Sequence, residues 1–322
     1  MSVLIAIPTL DEERDIGAVI ETLVPFAERC SALVVVADGG SSDGTCAIVR
    51  TLAARHSWLA LIDNPGRFQS AAVNRVVEQF GDSRTWLIRM DAHSNYPPDF
   101  CDILLAEADA TGADSVVVRM NAVGHTPMQR LVAAAQNSRF GNGGSAHRNR
   151  GHGAWVDHGH HALIRITAFQ EVGGYDPSFT HNEDAELDHR LIRAGCKIWL
   201  TARSSIDYYP RASIPALVRQ YFKFGHGRAR NLSKHEMKPA TRQKIVAALA
   251  PAVLCSFLAP IHWIFALPAA LWGMGCVAAG IMIALDTRDP RNFWSGPIAG
   301  LMHLAWSLGF WVQRLSPSAK AV

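Results

Sequence analysis

The segment Trp86–Pro97, WLIRMDAHSNYP, places a carboxylate and an imidazole two residues apart, directly after an apolar run. In an extended segment, side chains two residues apart point to the same side, so Asp91 and His93 are able to bind one cation. Mg²⁺ prefers oxygen ligands, whereas an imidazole suits Mn²⁺ better. The spacing therefore predicts a metal site that favours Mn²⁺. The alternative is a turn in which His93 only forms a hydrogen bond.

Three further segments carry acids that could take part in chemistry. They are PTLDEE at 8–13, ADGGSSDGT at 37–45 and HNEDAELDHRLIRAG at 181–195. An acid just ahead of a helix often caps it, so each segment taken alone is explained without any chemistry. Taken together with Asp91, they supply carboxylates for cation binding and for general-base catalysis.

The elements that position these acids are indicated by runs rich in Val, Ile and Leu, as expected for strands buried on both faces of a sheet. These runs cover residues 3–9, 32–38, 58–63, 85–91 and 114–120. Helical patterns lie between them, and the alternation predicts an α/β fold with a mostly parallel, Rossmann-like sheet. Ligands bind at the carboxyl ends of such strands, where Asp38 and Asp91 stand.

The middle of the chain has a different character. Residues 141–161, GNGGSAHRNRGHGAWVDHGHH, are dense in Gly, His and Arg and predict a long loop of the kind used for binding. A second metal site is the other interpretation. The spacing of the histidines matches no standard set of metal ligands, which favours a binding loop. A helix is then predicted to begin near Asn182 and to end at Gly195.

The last third is apolar, in keeping with a composition of 49% hydrophobic and 18% charged residues. Residues 245–285 contain no Lys, Arg, Asp or Glu, which is enough length for two membrane spans of roughly 20 residues each. Pro260, His262 and Pro268 interrupt the run, so a tight helical hairpin or a re-entrant pair fits as well as two straight spans. The opposing interpretation is a buried helical pair. A shorter uncharged segment follows at 295–313.

Charge and cysteine content indicate a compartment. Basic residues cluster from Arg228 to Lys244, beside the apolar run, as is typical of the cytoplasmic side of a membrane. None of the six cysteines forms a Cys-x-x-Cys pair, which favours reduced thiols. A net charge of +3 gives no indication of nucleic acid as a partner. We therefore expect a domain at 1–235 facing the cytoplasm and a membrane-associated helical region at 236–322, at the inner membrane.

With these motifs in this order, the chain resembles the inverting nucleotide-sugar glycosyltransferases of family 2, which have the GT-A fold. Within that family it is most similar to bacterial succinoglycan-type exopolysaccharide glucosyltransferases. PTLDEE is similar to the family's Pro-x-x-Asn-Glu, with Asp11 in place of Asn. ADGGSSDGT is similar to Asp-Asp-Gly-Ser-x-Asp-Gly-Thr, with Gly39 in place of the second Asp. Asp91-Ala92-His93 occupies the Asp-x-Asp position.

The resemblance implies how the donor is bound. Pro8, Glu12 and Asp38 would contact the nucleotide, with Asp38 at the uracil. Asp91 and His93 would hold a divalent metal, Mn²⁺ in preference to Mg²⁺, on the diphosphate.

The resemblance also implies how the acceptor is activated. Asp184, in the family's Glu-Asp pair, would be the general base, and Glu183 would lie beside the acceptor. The opposing interpretation is that both acids only cap their helix. His158, in the histidine-rich segment, is predicted to bind the acceptor.

A third motif implied by the resemblance lies before the apolar region. Gln220, Lys223 and Phe224 are loosely similar to the Gln-x-x-Arg-Trp box of processive synthases. Because Lys replaces Arg and Phe replaces Trp, the match favours one sugar per acceptor. Gln220 would contact the acceptor, and Lys223, Arg67 and Arg228 would neutralise the leaving diphosphate.

The expected activity is transfer of a hexose, with glucose first among the candidates, from a UDP-sugar to a polyprenyl-diphosphate-linked saccharide in exopolysaccharide biosynthesis. The partners would be that donor, that acceptor, the membrane and other polysaccharide-assembly enzymes. One alternative is a polyprenyl-phosphate sugar synthase, which needs no strong base. Another is a non-catalytic membrane scaffold or transporter subunit. A dinucleotide oxidoreductase is disfavoured because no G-x-G-x-x-G follows the first predicted strand.

Overall fold

The computed structural model describes residues 2–143 and 152–316. The chain forms two compact units. The first contains residues 1–120 and 150–208, and the second contains residues 121–149 and 209–322. This division differs from the predicted boundary at residue 235, because the helix that precedes residue 235 packs within the second unit.

The first unit is built on an eight-stranded sheet with the order β3-β2-β1-β4-β7-β5-β8-β6. The strands are β1 Val3–Thr9, β2 Leu33–Asp38, β3 Leu59–Asp63, β4 Trp86–Arg89, β5 Ser115–Ala122, β6 Ala154–Val156, β7 His160–Arg165 and β8 Ile198–Tyr208. The first five correspond to the five apolar runs of the sequence, and the prediction of an α/β fold is confirmed. Because both faces of these strands are covered by helices, apolar side chains occupy nearly every position.

The helices of this unit are α1 Ile16–Cys30, α2 Thr45–Ala53, α3 Gln69–Phe80, α4 Phe100–Thr111, α7 Ile166–Glu171 and α8 Glu183–Arg193. They bury two cores, one on each face of the sheet. The helix α8 starts and stops where the sequence predicts. Asn182 before it has a left-handed φ of 69°, and Gly195 after it has φ 88°, a conformation that favours glycine.

The sheet is parallel on one side and antiparallel on the other. Strands β1 to β4 pair in parallel, whereas β7 runs antiparallel to both β4 and β5. The start of β7, at His160, therefore lies at the same edge as the end of β4, at Arg89. This reversal brings a histidine to the edge where the acids gather.

The prediction of a loop over residues 141–161 is wrong for part of that segment. Residues 144–151 lie outside the described part of the chain, but 154–156 and 160–161 belong to strands β6 and β7. Strand β6 has only three residues, and β7 begins with two histidines directly after Gly159, so neither shows hydrophobic periodicity at this point. Their pairing with β8, β4 and β5 supplies the order that the local sequence does not indicate.

The second unit is helical. Its helices are α5 Pro127–Asn137, α6 Arg139–Asn142, α9 Ile214–Lys234, α10 Thr241–Ala247, α11 Leu249–Cys255, α12 Leu267–Thr287 and α13 Ser295–Leu315. Two stretches, Thr241–Leu258 and Trp263–Thr287, are long and apolar enough to cross a membrane, and only 11% of each is buried.

The central helix of this unit is α13, which contains the uncharged segment 295–313. Ile298, Ala299 and Met302 are buried against Leu217 of α9 and Val132 of α5. Glycines allow α13 to approach its neighbours closely. Gly309 contacts the backbone of α9, and Gly296 contacts the backbone of α12. The segment 295–313 is therefore a core helix of this unit.

Candidate active site

The first two acidic motifs form one structure at the carboxyl ends of β1 and β2. Asp11 Oδ1 accepts hydrogen bonds from the Ser42 amide at 2.7 Å and the Ser42 hydroxyl at 3.2 Å, and the Asp11 amide donates to Ser41 Oγ at 2.9 Å. The Glu12 amide donates to Thr45 Oγ1 at 2.8 Å. Asp11 has φ 56°, which Asp and Asn tolerate better than most residues. The substitution of Asp for the family's Asn therefore preserves this turn.

Asp38 anchors the loop that follows β2. Its Oδ2 accepts hydrogen bonds from the amides of Gly40 and Ser41, each at 2.9 Å, and its Oδ1 accepts from the Ser41 hydroxyl. Burial raises the pKa of Asp38, but the hydrogen bonds from Ser41 outweigh it and the pKa lies below its ordinary value. Asp38 is therefore an anion at neutral pH, only 5% exposed, at the edge of the sheet.

Asp91, just beyond the end of β4, is held from several sides. Its Oδ1 accepts a hydrogen bond from Gln69 Nε2 at 2.8 Å and lies 3.6 Å from a guanidinium nitrogen of Arg89. Its amide donates to the Tyr96 hydroxyl at 2.6 Å. Burial raises the pKa of Asp91, but Arg89 and His160 overcome it and hold the pKa well below its ordinary value. A rigid anion therefore stands where the metal ligand is predicted.

His93 bonds to the first motif and not to its own turn. Its Nδ1 lies 2.8 Å from Glu12 Oε1, and this hydrogen bond raises the pKa of His93. A histidine that ligates a metal commonly donates its other ring nitrogen to a carboxylate, which fixes the ring. If His93 ligates a metal, it would do so through Nε2, with Glu12 as the residue that orients the ring.

Asp184 lies in the first turn of α8 and is anchored in the core of the first unit. Its Oδ1 accepts hydrogen bonds from Arg89 at 2.6 Å and from the Tyr175 hydroxyl at 2.9 Å. A carboxylate offers about four lone-pair positions, so these two bonds do not prevent Asp184 from accepting a proton. Asp184 is therefore held in a fixed orientation beside a buried cation, at the position where the base is predicted.

Arg89 connects the two acids, and the sequence reasoning did not identify it. The residue is 6% exposed, and its guanidinium contacts Asp184, Asp91 and the Tyr175 hydroxyl. Burial lowers the pKa of Arg89, but Asp184 and Tyr175 outweigh this and keep it well above its ordinary value. The available signal was a cation inside the apolar run WLIRMD, because a buried charge requires a partner.

His160 was also not singled out, although it lies between the same two acids. Its Nε2 is 3.6 Å from Asp91 Oδ2, and its Nδ1 is 3.8 Å from Asp184 Oδ2. The antiparallel pairing of β7 with β4 places it there. Sequence alone could not separate this histidine from its neighbours in the histidine-rich segment.

Two other predicted residues lie on or near α8. Burial and the adjacent Asp184 raise the pKa of Glu183 to about 7, so Glu183 is partly protonated near neutral pH. His158 Nδ1 lies 2.6 Å from Asp188 Oδ2, and Asp188 is fully buried on the same helix. His158 is thus fixed to the helix that carries Asp184, one turn away from it.

The donor set at this edge fits a divalent cation that shares its coordination with a diphosphate. Within the described residues, no three side chains of His, Cys, Asp or Glu converge as a complete metal cage. A cation on a nucleotide needs only one or two protein carboxylates, because substrate phosphates complete its shell. Asp91 supplies one such carboxylate, and the Nε2 atom of His93 would be the second protein ligand.

The remaining predicted residues lie on β1, ahead of α3 and on α9. Pro8 pairs with Ala37 between β1 and β2, and Arg67 is exposed with φ 61° ahead of α3. Gln220, Lys223 and Arg228 lie on α9 in the second unit, so their part in the reaction rests on the sequence.

Comparisons with known proteins show which family the chain belongs to. Residues 4–173 match the glycosyl transferase family 2 model. The succinoglycan biosynthesis protein ExoA of Rhizobium meliloti (strain 1021) is 50% identical over 314 residues, which cover 98% of this chain and 95% of that protein.

Solved structures show the same fold. The mannosyltransferase PcManGT from Pyrobaculum calidifontis, solved with GDP-mannose and Mn²⁺, is similar with a TM-score of 0.58 at 16% identity. The match covers 96% of this chain and 86% of PcManGT. GalNAc-T7, solved with UDP, GalNAc and Mn²⁺, is similar with a TM-score of 0.50 at 14% identity, over 75% of this chain and 52% of GalNAc-T7. With these likenesses in fold and sequence, the chain belongs to glycosyl transferase family 2 and is a glycosyltransferase with the GT-A fold.

Proposed function

We propose that this glycosyltransferase moves a hexose, with glucose as the first candidate, from a UDP-sugar to a polyprenyl-diphosphate-linked saccharide in exopolysaccharide biosynthesis. The near full-length similarity to a succinoglycan biosynthesis protein supports the pathway class. The observation that carries the chemistry is the linkage of Asp184 and Asp91 through Arg89, since it joins a base to a metal-binding acid.

The reaction is a single displacement. The acceptor hydroxyl oxygen attacks the anomeric carbon from the face opposite the diphosphate, and the proton of that hydroxyl passes to the Asp184 carboxylate. The new C–O bond forms as the bond between the anomeric carbon and the diphosphate oxygen breaks. The electron pair of the broken bond leaves with UDP. One displacement inverts the anomeric centre, so an α-linked donor yields a β-linked product.

Arg89 and Tyr175 prepare Asp184 for this step. The Arg89 guanidinium places a positive charge beside the carboxylate, and both donors hold its orientation. Fixing the base in advance lowers the entropic part of the barrier, because the carboxylate need not search for the hydroxyl. Arg89 and Tyr175 are thus positioning residues that act through Asp184.

Asp91 and His93 would hold the divalent cation, with Glu12 orienting His93. When bound there, the cation supplies positive charge against the leaving diphosphate. The imidazole ligand favours Mn²⁺ over Mg²⁺.

The other predicted residues complete the substrate contacts. Asp38 binds the uracil, with Pro8 beside it on β1, and Arg67 binds the diphosphate. On α9, Lys223 and Arg228 add positive charge for the leaving group. The acceptor is contacted by Glu183, His158 and Gln220.

The enzyme works at the inner membrane with its first unit in the cytoplasm, where nucleotide sugars are made available. The exposed apolar stretches Thr241–Leu258 and Trp263–Thr287 support membrane attachment. The basic residues between 228 and 244 support the cytoplasmic orientation and contact with anionic lipid head groups.

A donor panel tests the proposal. Membranes containing the protein are incubated with UDP- and GDP-sugars and a lipid-linked saccharide extract, with Mn²⁺, Mg²⁺ or EDTA, and released nucleotide is measured. We expect UDP release from one UDP-hexose, fastest with Mn²⁺ and absent with EDTA. A preference for a GDP-sugar, or full activity in EDTA, would overturn the donor and metal assignments.

A further inference from the structure

The apolar hairpin, residues 251–271, has an exposed surface that the fold of the second unit does not cover. From residue 251 to residue 278, all within the described part of the chain, not one residue is buried. Large apolar side chains are the most exposed here, with Phe257 and Ile261 each at 77% and Trp263 at 67%. The segment carries no Lys, Arg, Asp or Glu. Such a surface is stable only in contact with an apolar phase.

The first arm of the hairpin is fixed to the helical core at its base. Ala247 O accepts hydrogen bonds from Ser307 Oγ at 2.8 Å and Trp311 Nε1 at 2.7 Å, and the Ala250 amide donates to Ser307 Oγ at 3.0 Å. All four residues lie in the second unit, and Ala250 is the last buried residue of this arm. The free part of the first arm therefore begins at residue 251.

The second arm is fixed in the same way. Trp272 and Cys276 pack against Gly300 of α13, and Gly280 packs against Gly296. Gly296 and Gly300 permit this contact because a side chain at either position would collide with α12. The contacts between α12 and α13 therefore begin at residue 272.

The core to which both arms are fixed cannot enter the hydrocarbon of a membrane. Helix α9 lies along α13, with Leu217 near Met302 and Gly225 against Trp306. Along α9 there are five cations, Arg219, Lys223, Arg228, Arg230 and Lys234. Each would cost about 2.5–3.5 kcal/mol at the centre of a bilayer, so α9 and the helix packed on it stay outside.

The length of the hairpin arms limits how deep the tip can lie in the bilayer. About ten residues separate each anchor from the tip at His262, so at 1.5 Å per residue the tip lies no more than about 15–18 Å from either anchor. The hydrocarbon of a bilayer is roughly 30 Å thick. We propose that the apolar hairpin enters one leaflet, turns near the bilayer midplane and returns, so that no part of the described chain crosses to the other side.

The charges at the base of the hairpin match this arrangement. Arg242 and Lys244 are exposed just before the first arm. Cations at this entry point would meet the anionic head groups of the leaflet that the hairpin enters. The occupant of the apolar surface is thus the acyl-chain region of a single leaflet.

This inference rests on the membrane location in the proposed function, and thiol labelling in sealed vesicles tests it. Ile261→Cys and His262→Cys place a thiol at the tip, and both positions are exposed. Because His262 accepts a hydrogen bond from the Ile264 amide, Ile261→Cys is the milder of the two changes. Thr287→Cys, exposed at the end of α12, is the matched control. A membrane-impermeant maleimide is added from either side, and peptide mass spectrometry assigns the label, so the native cysteines do not interfere.

We expect the tip thiols to resist labelling from both sides and to react at least tenfold faster after detergent is added. Thr287→Cys should react from the cytoplasmic side only. Labelling of the tip from the opposite side would show a crossing hairpin, and labelling from the cytoplasmic side would show a surface-bound one; either overturns the inference. If the protein is not recovered with vesicles at all, the membrane location in the proposed function fails instead.

Discussion

The Arg89 guanidinium lies 2.6 Å from Asp184 Oδ1, inside the first unit, where the Arg89 side chain is only 5% exposed. The same guanidinium lies 3.6 Å from Asp91 Oδ1. One buried cation therefore compensates both the proposed base and the proposed metal ligand. Removing one partner of such a buried pair strands the other charge, at a cost of about 3–5 kcal/mol.

Replacement of Arg89 should therefore affect both stability and catalysis. Arg89→Met should lower the free energy of unfolding by about 3–5 kcal/mol because two acids lose their cation. Arg89→Lys keeps the charge but loses the planar fork, so we expect a folded protein with kcat reduced about 10–100-fold.

A pH profile separates positioning by Arg89 from a purely structural role. A carboxylate with a poorly placed cation binds its proton more tightly, so the acid limb of kcat should move to higher pH in Arg89→Lys. Arg29→Lys is the matched control, because Arg29 pairs with Asp102 on the surface. An unchanged acid limb in Arg89→Lys would contradict the role assigned to Arg89.

Much of this arrangement follows from the sequence, and the part that does not has a physical reason. Continuous apolar runs predict β1 to β5, and the acids at their ends predict the edge where the site lies. Strand β7 is not predicted, because it gains its order by pairing on both sides. His160 was missed for that reason, since its position depends on the antiparallel register and not on local spacing.

The helical region also has one property that the sequence predicts and one that it does not. The absence of charge over 245–285 indicates apolar surroundings but does not distinguish lipid from protein. Segment 295–313 looks similar in sequence, yet its glycines and small residues let it pack as the core of the second unit. Tertiary packing, which a single sequence does not display, separates the two.

Glu183 should make the stability of the protein depend on pH. Its pKa is raised to about 7 in the folded state, against an ordinary value of 4.5. Between these values the folded state holds a proton that the unfolded state releases, so the contribution of Glu183 to stability is greatest below its ordinary pKa and falls as pH rises towards 7. The loss should be on the order of 3 kcal/mol.

Glu183→Gln provides the comparison. Its amide does not titrate, so the decline in stability between pH 5 and pH 7 should be smaller than in the wild-type protein. Denaturant unfolding at several pH values measures the difference. Parallel curves for the two proteins would contradict a raised pKa of Glu183 in the folded state.

The contact between Glu12 and His93 predicts a graded effect on metal use. Glu12→Gln weakens the acceptor for His93 Nδ1, and a lost metal-orienting partner typically reduces affinity about 10–100-fold. We expect the Mn²⁺ concentration for half-maximal activity to rise by that factor. His93→Ala should reduce the preference for Mn²⁺ over Mg²⁺, because only oxygen ligands remain.

Direct Mn²⁺ binding in the presence of UDP, followed by electron paramagnetic resonance, checks this result apart from turnover. Glu13→Gln is the control, since Glu13 bonds the Gly44 amide in the same loop but not His93. Equal Mn²⁺ affinity in Glu12→Gln and wild type would argue against ligation by His93.

The glycines of the second unit predict a stability difference between two otherwise similar substitutions. A side chain at Gly309 would collide with the backbone of Phe222, so Gly309→Ala should destabilise the unit by about 1–3 kcal/mol. At Gly275 an added Cβ meets nothing within 4 Å, so Gly275→Ala should be neutral or stabilising by up to about 1 kcal/mol. Thermal unfolding in detergent compares them, and equal Tm values would refute close packing of α9 on α13.

The most direct test of the central claim compares donor binding with turnover in Asp184→Asn. The amide keeps the shape of the carboxylate but cannot accept the acceptor's proton, so kcat should fall about 10²–10⁴-fold while the Kd for UDP changes little. Asp102→Asn, at an exposed ion pair, should behave as wild type. Near-normal kcat in Asp184→Asn would contradict the role of Asp184 as base and would favour transfer to a lipid phosphate, which needs none.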